Sequence, residues 1–192
     1  MDIASLQKRV DGLSENELWA MYGLISLALQ KGGYVRSKNL TAERGERLAI
    51  QIYNRTPGAA KLLLAPPGTK NVDALSRDGE RYSIKTISRG TTSTGTFQAD
   101  DFSEKRFEYV VLVVLDEYFQ AVQVLEAAWE HVNKHKRMHK TMKAYNIRVT
   151  ADFRTGCKVI YERARPLSEG SKPVTANATL RARALDQSDR SP

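Results

Sequence analysis

Asp73, Ser83 and Lys85 are the residues of this chain whose types and spacing could do chemistry, with Glu46 upstream. Val72-Asp73 and Ser83-Ile84-Lys85 flank a turn signal at Asp78-Gly79, so an acid and a lysine face each other across an expected hairpin. Acids that hold Mg²⁺ beside a lysine suit phosphodiester hydrolysis. The ion polarises the phosphate and activates water, and it prefers one or two carboxylates plus water and substrate oxygens. A neighbouring ammonium positions the water or offsets developing charge.

Whether these side chains meet depends on the turn. A three-residue loop, Arg77-Asp78-Gly79 with Gly79 left-handed, sets Asp73 opposite Ser83 and puts Lys85 one step along the same face. A two-residue loop, Asp78-Gly79, sets Asp73 opposite Ile84 and turns Lys85 to the other face. The sequence permits both.

Several elements must carry this hairpin. Ser14-Glu15-Asn16-Glu17 is a capping box, predicting a helix to about Gln30 that Gly32-Gly33 stops. Its Leu18, Trp19, Tyr22, Ile25 and Leu29 read as core or as a dimer contact. A second helix is expected over about Thr41–Asn54. Strands are expected over Lys61–Ala65, Asn71–Ser76, Glu80–Ile87, Phe107–Leu115, Tyr118–Leu125, Asn146–Thr150 and Lys158–Glu162. Phe107–Leu115 is nearly continuous in apolar residues, as a strand buried on both faces is. Gln98–Arg106 reads as a short helix, and Glu126–Asn133 opens a helix that runs on into a basic segment. Residues 89–96 read as a flexible, hydroxyl-rich loop. The sum is an α/β domain around a mixed central sheet flanked by helices. Residues 1–40 form an N-terminal helical segment, 41–165 the core, and 166–192 an expected disordered tail.

Gly45-Glu46 on a helix, then Val72-Asp73, a turn and Ser83-Ile84-Lys85 resemble the PD-(D/E)XK nucleases, the restriction-endonuclease-like fold. The similarity covers roughly residues 41 to 130. It implies that Glu46 and Asp73 bind Mg²⁺, with Mn²⁺ as a substitute, and that Lys85 acts on the attacking water. Val72 replaces the proline of the motif. Ser83 stands where the family carries its second acid, two residues before the lysine. The resemblance then implies either a migrated acid, for which Asp100 and Asp101 are candidates with Asp101 preferred, or a lost activity. It further implies a DNA substrate, a homodimer, and a restriction or defence role in a prokaryotic or phage setting.

The net charge of +8 favours a polyanionic partner. Residues 131–148 hold Lys134, Lys136, Arg137, Lys140, Lys143 and Arg148 with no Asp or Glu, a field that attracts phosphate backbones. Arg89 and Thr91, in the hydroxyl-rich loop, join them as candidate phosphate contacts. Tyr34 and Arg36 are unranked further ones. His131, His135 and His139 fall at helical spacing and read as one basic face rather than a zinc site. Cys157, the single cysteine, reads as a packed small residue; with no disulfide to form and no membrane-spanning run or leader pattern, the cytoplasm is the expected compartment. Two rival functions remain: a non-catalytic nucleic-acid-binding or assembly module on the same fold, and a partner-binding protein that uses its first Leu/Trp-rich helix.

Overall fold

The computed structural model describes residues 2–37, 39–66 and 68–164. The expected tail lies outside the described residues. The chain opens with helices α1 (Ile3–Val10) and α2 (Glu15–Lys31), followed by α3 (Leu40–Arg55). Strands β1 (Leu62–Leu64), β2 (Ala74–Ser76) and β3 (Arg81–Ser88) form an antiparallel meander. A crossover carrying the short helix α4 (Asp100–Ser103) leads to β4 (Tyr109–Leu115), which pairs parallel to β3. Antiparallel β5 (Ala121–Ala128) follows, then α5 (Trp129–His135), β6 (Lys136–His139), β7 (Ala144–Ile147), α6 (Ala151–Thr155) and β8 (Lys158–Glu162). Six strands make one mixed sheet in the order β1-β2-β3-β4-β5-β8, and β6-β7 form a separate two-stranded ribbon.

Both faces of the sheet are covered, which is why β4 is apolar at every position and buried from Val110 to Leu115. On one face α3 packs Leu48, Ala49 and Tyr53 against Tyr82, Ile84, Val111, Val113 and Val124. On the other, Ile87, Val110, Leu112 and Val114 meet Phe97, Phe102, Phe107, Val132, Ile147 and Phe153. A Cβ on Gly45 would fall on the Thr86 hydroxyl and 2.8 Å from the Thr86 Cβ and Cγ2. Glycine therefore lets α3 lie close against β3 and fixes the height of Glu46 above the sheet.

Two expectations are corrected and a third is narrowed. The basic segment does not continue α5: it folds back as the β6-β7 hairpin, with Lys136 opposite Ile147 and His139 opposite Ala144. Its tight turn uses Lys143 at φ 48°, a left-handed residue without the glycine that would have marked it. The loop over 89–96 is tied down rather than free. Thr94 is buried, its hydroxyl accepts from the Ile147 N–H at 3.1 Å, and Phe97 exchanges both backbone hydrogen bonds with Tyr145. The capping box of Ser14 and Glu17 opens α2 as expected, but no α2 residue is buried, so its apolar stripe is not core. At the sheet's edge, β1 leaves Leu63 and Leu64 exposed and runs to Pro66. Among the described residues, no helix is long and apolar enough to cross a membrane.

Candidate active site

The turn resolves the register. Ala74 pairs with Tyr82 and Leu75 with Arg81, and the Ser76 N–H donates to the Glu80 carbonyl at 2.9 Å. Three residues, Arg77-Asp78-Gly79, close the hairpin with Gly79 at φ 84°. Asp73 therefore stands opposite Ser83, and Lys85 follows on the same face. Strand β2 begins at Ala74, but the Asp73 N–H still donates to the Tyr82 carbonyl at 2.9 Å and its carbonyl accepts from the Ala65 N–H at 3.0 Å. The Asp73 carboxylate reaches further along β3. Its Oδ2 accepts from the Ile84 N–H at 2.6 Å and from the Ser83 hydroxyl at 3.4 Å. A side chain thus takes the place of a backbone acceptor, and it is held firmly.

Glu46 approaches from α3. Burial pushes its carboxyl up to about 7, and the Asp73 carboxylate adds to the rise. Arg36 opposes it, bonding Glu46 Oε2 at 2.8 Å and Glu43 Oε2 at 3.3 Å. Arg36 thereby serves the acids and is not free for a phosphate. Tyr34, by contrast, is exposed.

Asp101 and Asp100 part company. Asp101 is buried with α4, and its Oδ2 accepts from the Gln98 N–H at 2.7 Å. Its Oδ1 is buried without a hydrogen-bond partner. Burial raises its pKa; the Gln98 hydrogen bond, the Lys85 charge and the Asn71 amide lower it. Lys85 lies with Nζ 4.5 Å from the centre of the Phe97 ring, a cation–π contact that orients the ammonium. Asp100 is drawn to Arg106 at 3.0 Å. Of the two candidates, Asp101 is the one whose carboxyl feels the Lys85 charge. Asn71 was not legible as a site residue; its only sequence signal is the tolerance of asparagine for the left-handed region.

The Asp73 charge that raises the Glu46 pKa, and a buried Asp101 oxygen, are features that a hard cation would relieve. Among the described residues, no group of three or more His, Cys, Asp or Glu side chains is placed to enclose a metal ion. Mg²⁺ does not require one, since one or two carboxylates with water and substrate oxygens suffice. Asp73 and Glu46 supply two such carboxylates.

The other candidates are spread more widely. Lys134, Arg137, Lys140, Lys143 and Arg148 are exposed on or beside the β6-β7 hairpin. Lys136 is not: its Nζ lies over the Phe102 and Tyr145 rings at 4.5 and 5.0 Å and bonds Asn133, so it is a packing residue. Arg89 and Thr91 are exposed just beyond the end of β3. The three histidines do not share a face. His131 and His135 pack together on α5, bonding Phe153 O at 2.8 Å and Asp152 Oδ2 at 3.1 Å, whereas His139 belongs to β6. Burial pushes the Cys157 thiol up to about 11, and it donates to Phe153 O, so it is no nucleophile.

No protein-family model matches this chain, and no curated protein is significantly similar to it.

Proposed function

We propose that this protein is a Mg²⁺-dependent endonuclease of the PD-(D/E)XK kind, hydrolysing DNA phosphodiester bonds. One observation carries the reading: the three-residue turn sets Asp73 and Lys85 on one face of the hairpin, and the Asp73 charge joins burial in raising the pKa of Glu46 on α3. The order of elements supports it too, with a helix bearing Glu46, an antiparallel meander bearing Asp73 and Lys85, a helix bearing Asp101, and a strand parallel to β3.

Asp73 and Glu46 would hold the ion, and water and substrate oxygens would complete its shell. When bound, Mg²⁺ polarises the scissile phosphate and lowers the pKa of a water. Lys85 orients the attacking water and offsets charge that builds on the phosphate. Asp73 is locked by the Ile84 N–H, so its free oxygen is presented without a rotamer search. The exposed cations of the hairpin grip the DNA backbone by charge, without reading sequence. A restriction or defence role, carried out by a homodimer, belongs to the same proposal.

Cleavage of supercoiled plasmid and single-stranded DNA with Mg²⁺, with Mn²⁺ and with EDTA tests this. Asp73→Asn retains an acceptor for Ile84 N–H, and with Lys85→Met it should lose at least 100-fold in rate while staying folded. Ser83 favours a second reading, a nucleic-acid-binding module without catalysis. It stands where an acid is expected, and its hydroxyl is spent on Asp73. Metal-independent DNA retention without cleavage, unchanged by either substitution, would select that reading.

A further inference from the structure

Helix α2 is the surface that the chain leaves without a partner. None of its residues is buried, and Trp19 and Leu24 are 66% and 68% exposed. Leu18, Tyr22, Ile25 and Leu27 stand in solvent beside them. No charged residue occurs from Leu18 to Gln30. A helix that is apolar all round is ordinarily covered, and a soluble monomer rarely exposes a contiguous apolar patch of this extent.

We propose that α2 is a self-association surface, pairing antiparallel with α2 of a second copy of this chain about a two-fold axis. Three observations select that occupant. Extent is the first: Leu18, Trp19, Tyr22, Leu24, Ile25 and Leu27 are 40–68% exposed along one helix, and a stable interface needs about 800 Å² from each partner. Charge is the second. Glu15 and Glu17 lie in the first turn and Lys31 in the last, and a two-fold axis sets the helix against its own reverse, so each acidic end meets the partner's lysine end. Gly23 is the third. It is the middle residue of Glu15–Lys31, and a Cβ there would meet nothing within 4 Å. The chain's own packing gives no reason for glycine, which costs about 1 kcal/mol against alanine inside a helix. Beside a two-fold axis it lets two backbones approach. A lipid surface fits less well, because an interfacial helix needs a charged face that α2 lacks.

The test is sedimentation equilibrium of the full chain from 0.1 to 100 µM, for the wild type, Leu24→Glu and Gly23→Ala. The wild type should have the mass of two chains at 10 µM. Leu24→Glu should weaken association at least 100-fold, and Gly23→Ala about 10-fold, although alanine favours the helix. Far-UV circular dichroism and thermal unfolding of the dilute monomer should not fall, since neither side chain supports the core. A wild type that stays monomeric at 100 µM overturns the proposal, as does a dimer indifferent to both substitutions. Open-ended oligomers also overturn it, and so does a monomer that binds vesicles of phosphatidylcholine and phosphatidylglycerol through α2.

Discussion

Gly45→Ala is the sharpest probe of how the site is built. The added methyl meets the Thr86 hydroxyl head-on and sits 2.8 Å from Thr86 Cβ and Cγ2. Thr86 belongs to a central strand that is paired in parallel to β4 and cannot yield easily. Overpacking of this kind costs about 3 kcal/mol, and the gain in helix propensity returns about 1, leaving a loss of about 2 kcal/mol. For a chain of this size that is a fall of about 6 °C in Tm. Thr86→Ala removes the hydroxyl and Cγ2 and leaves only the Cβ contact, which a shift of a few tenths of an ångström relieves. The Thr86 hydroxyl is itself buried without a partner, so its removal alone should be close to neutral. Urea unfolding of the wild type, both single variants and the double variant gives the cycle, with an expected coupling of about 1.5–2 kcal/mol favouring the double variant. Additive costs, or a Gly45→Ala protein as stable as the wild type, would refute the close approach of α3 to β3. Glu46 rides on the same turn, so metal-dependent cleavage should fall in Gly45→Ala and recover in the double variant.

Other outcomes follow from the same geometry. The folded-state pKa of Glu46 lies near 7, above its ordinary 4.5. Its stabilising contribution is therefore complete below about pH 4.5 and lost as pH rises through 7. Glu46→Gln should raise stability by about 2 kcal/mol at pH 8, after the loss of the Arg36 ion pair, and leave it unchanged at pH 4; equal effects at both pH values would refute the burial argument. Mg²⁺ at 100-fold over its Kd should stabilise the wild type by about 2.7 kcal/mol at pH 8 and stabilise Asp73→Asn far less, as read by thermal unfolding. Alanine at Arg137, Lys140 or Lys143 should each reduce the slope of log K against log salt for DNA by about 0.9. Lys136→Ala should instead leave the slope alone and cost about 1 kcal/mol of stability through its lost aromatic contacts.

Local rules carried the sequence reading where they are strong. Asp78-Gly79 marks the hairpin turn, the Ser14/Glu17 box opens α2, and the unbroken apolar run of β4 announces burial on both faces. The choice between two registers was not legible, because Asp78-Gly79 suits either loop. The basic hairpin was missed for a physical reason: Lys136–His139 has no β-branched residue, and its turn bends at Lys143 rather than at glycine or proline. Its strand character comes from outside, through β7, which the loop of Thr94 and Phe97 pairs with from fifty residues upstream. Tertiary contacts override propensity there. Asp101 could be singled out by its place beside Phe102, but its unpartnered oxygen is visible only once α4 is packed.

The short edge strand β1 has a colloidal consequence. A sheet of six strands has two open edges, and an apolar edge with exposed leucines invites runaway pairing between chains in a concentrated cell. Here β1 offers only three residues, Leu62–Leu64, before Pro66, which has no N–H to extend a ladder. The opposite edge, β8, is bounded by the opposite charges of Lys158 and Glu162. Neither margin can propagate a fibril easily.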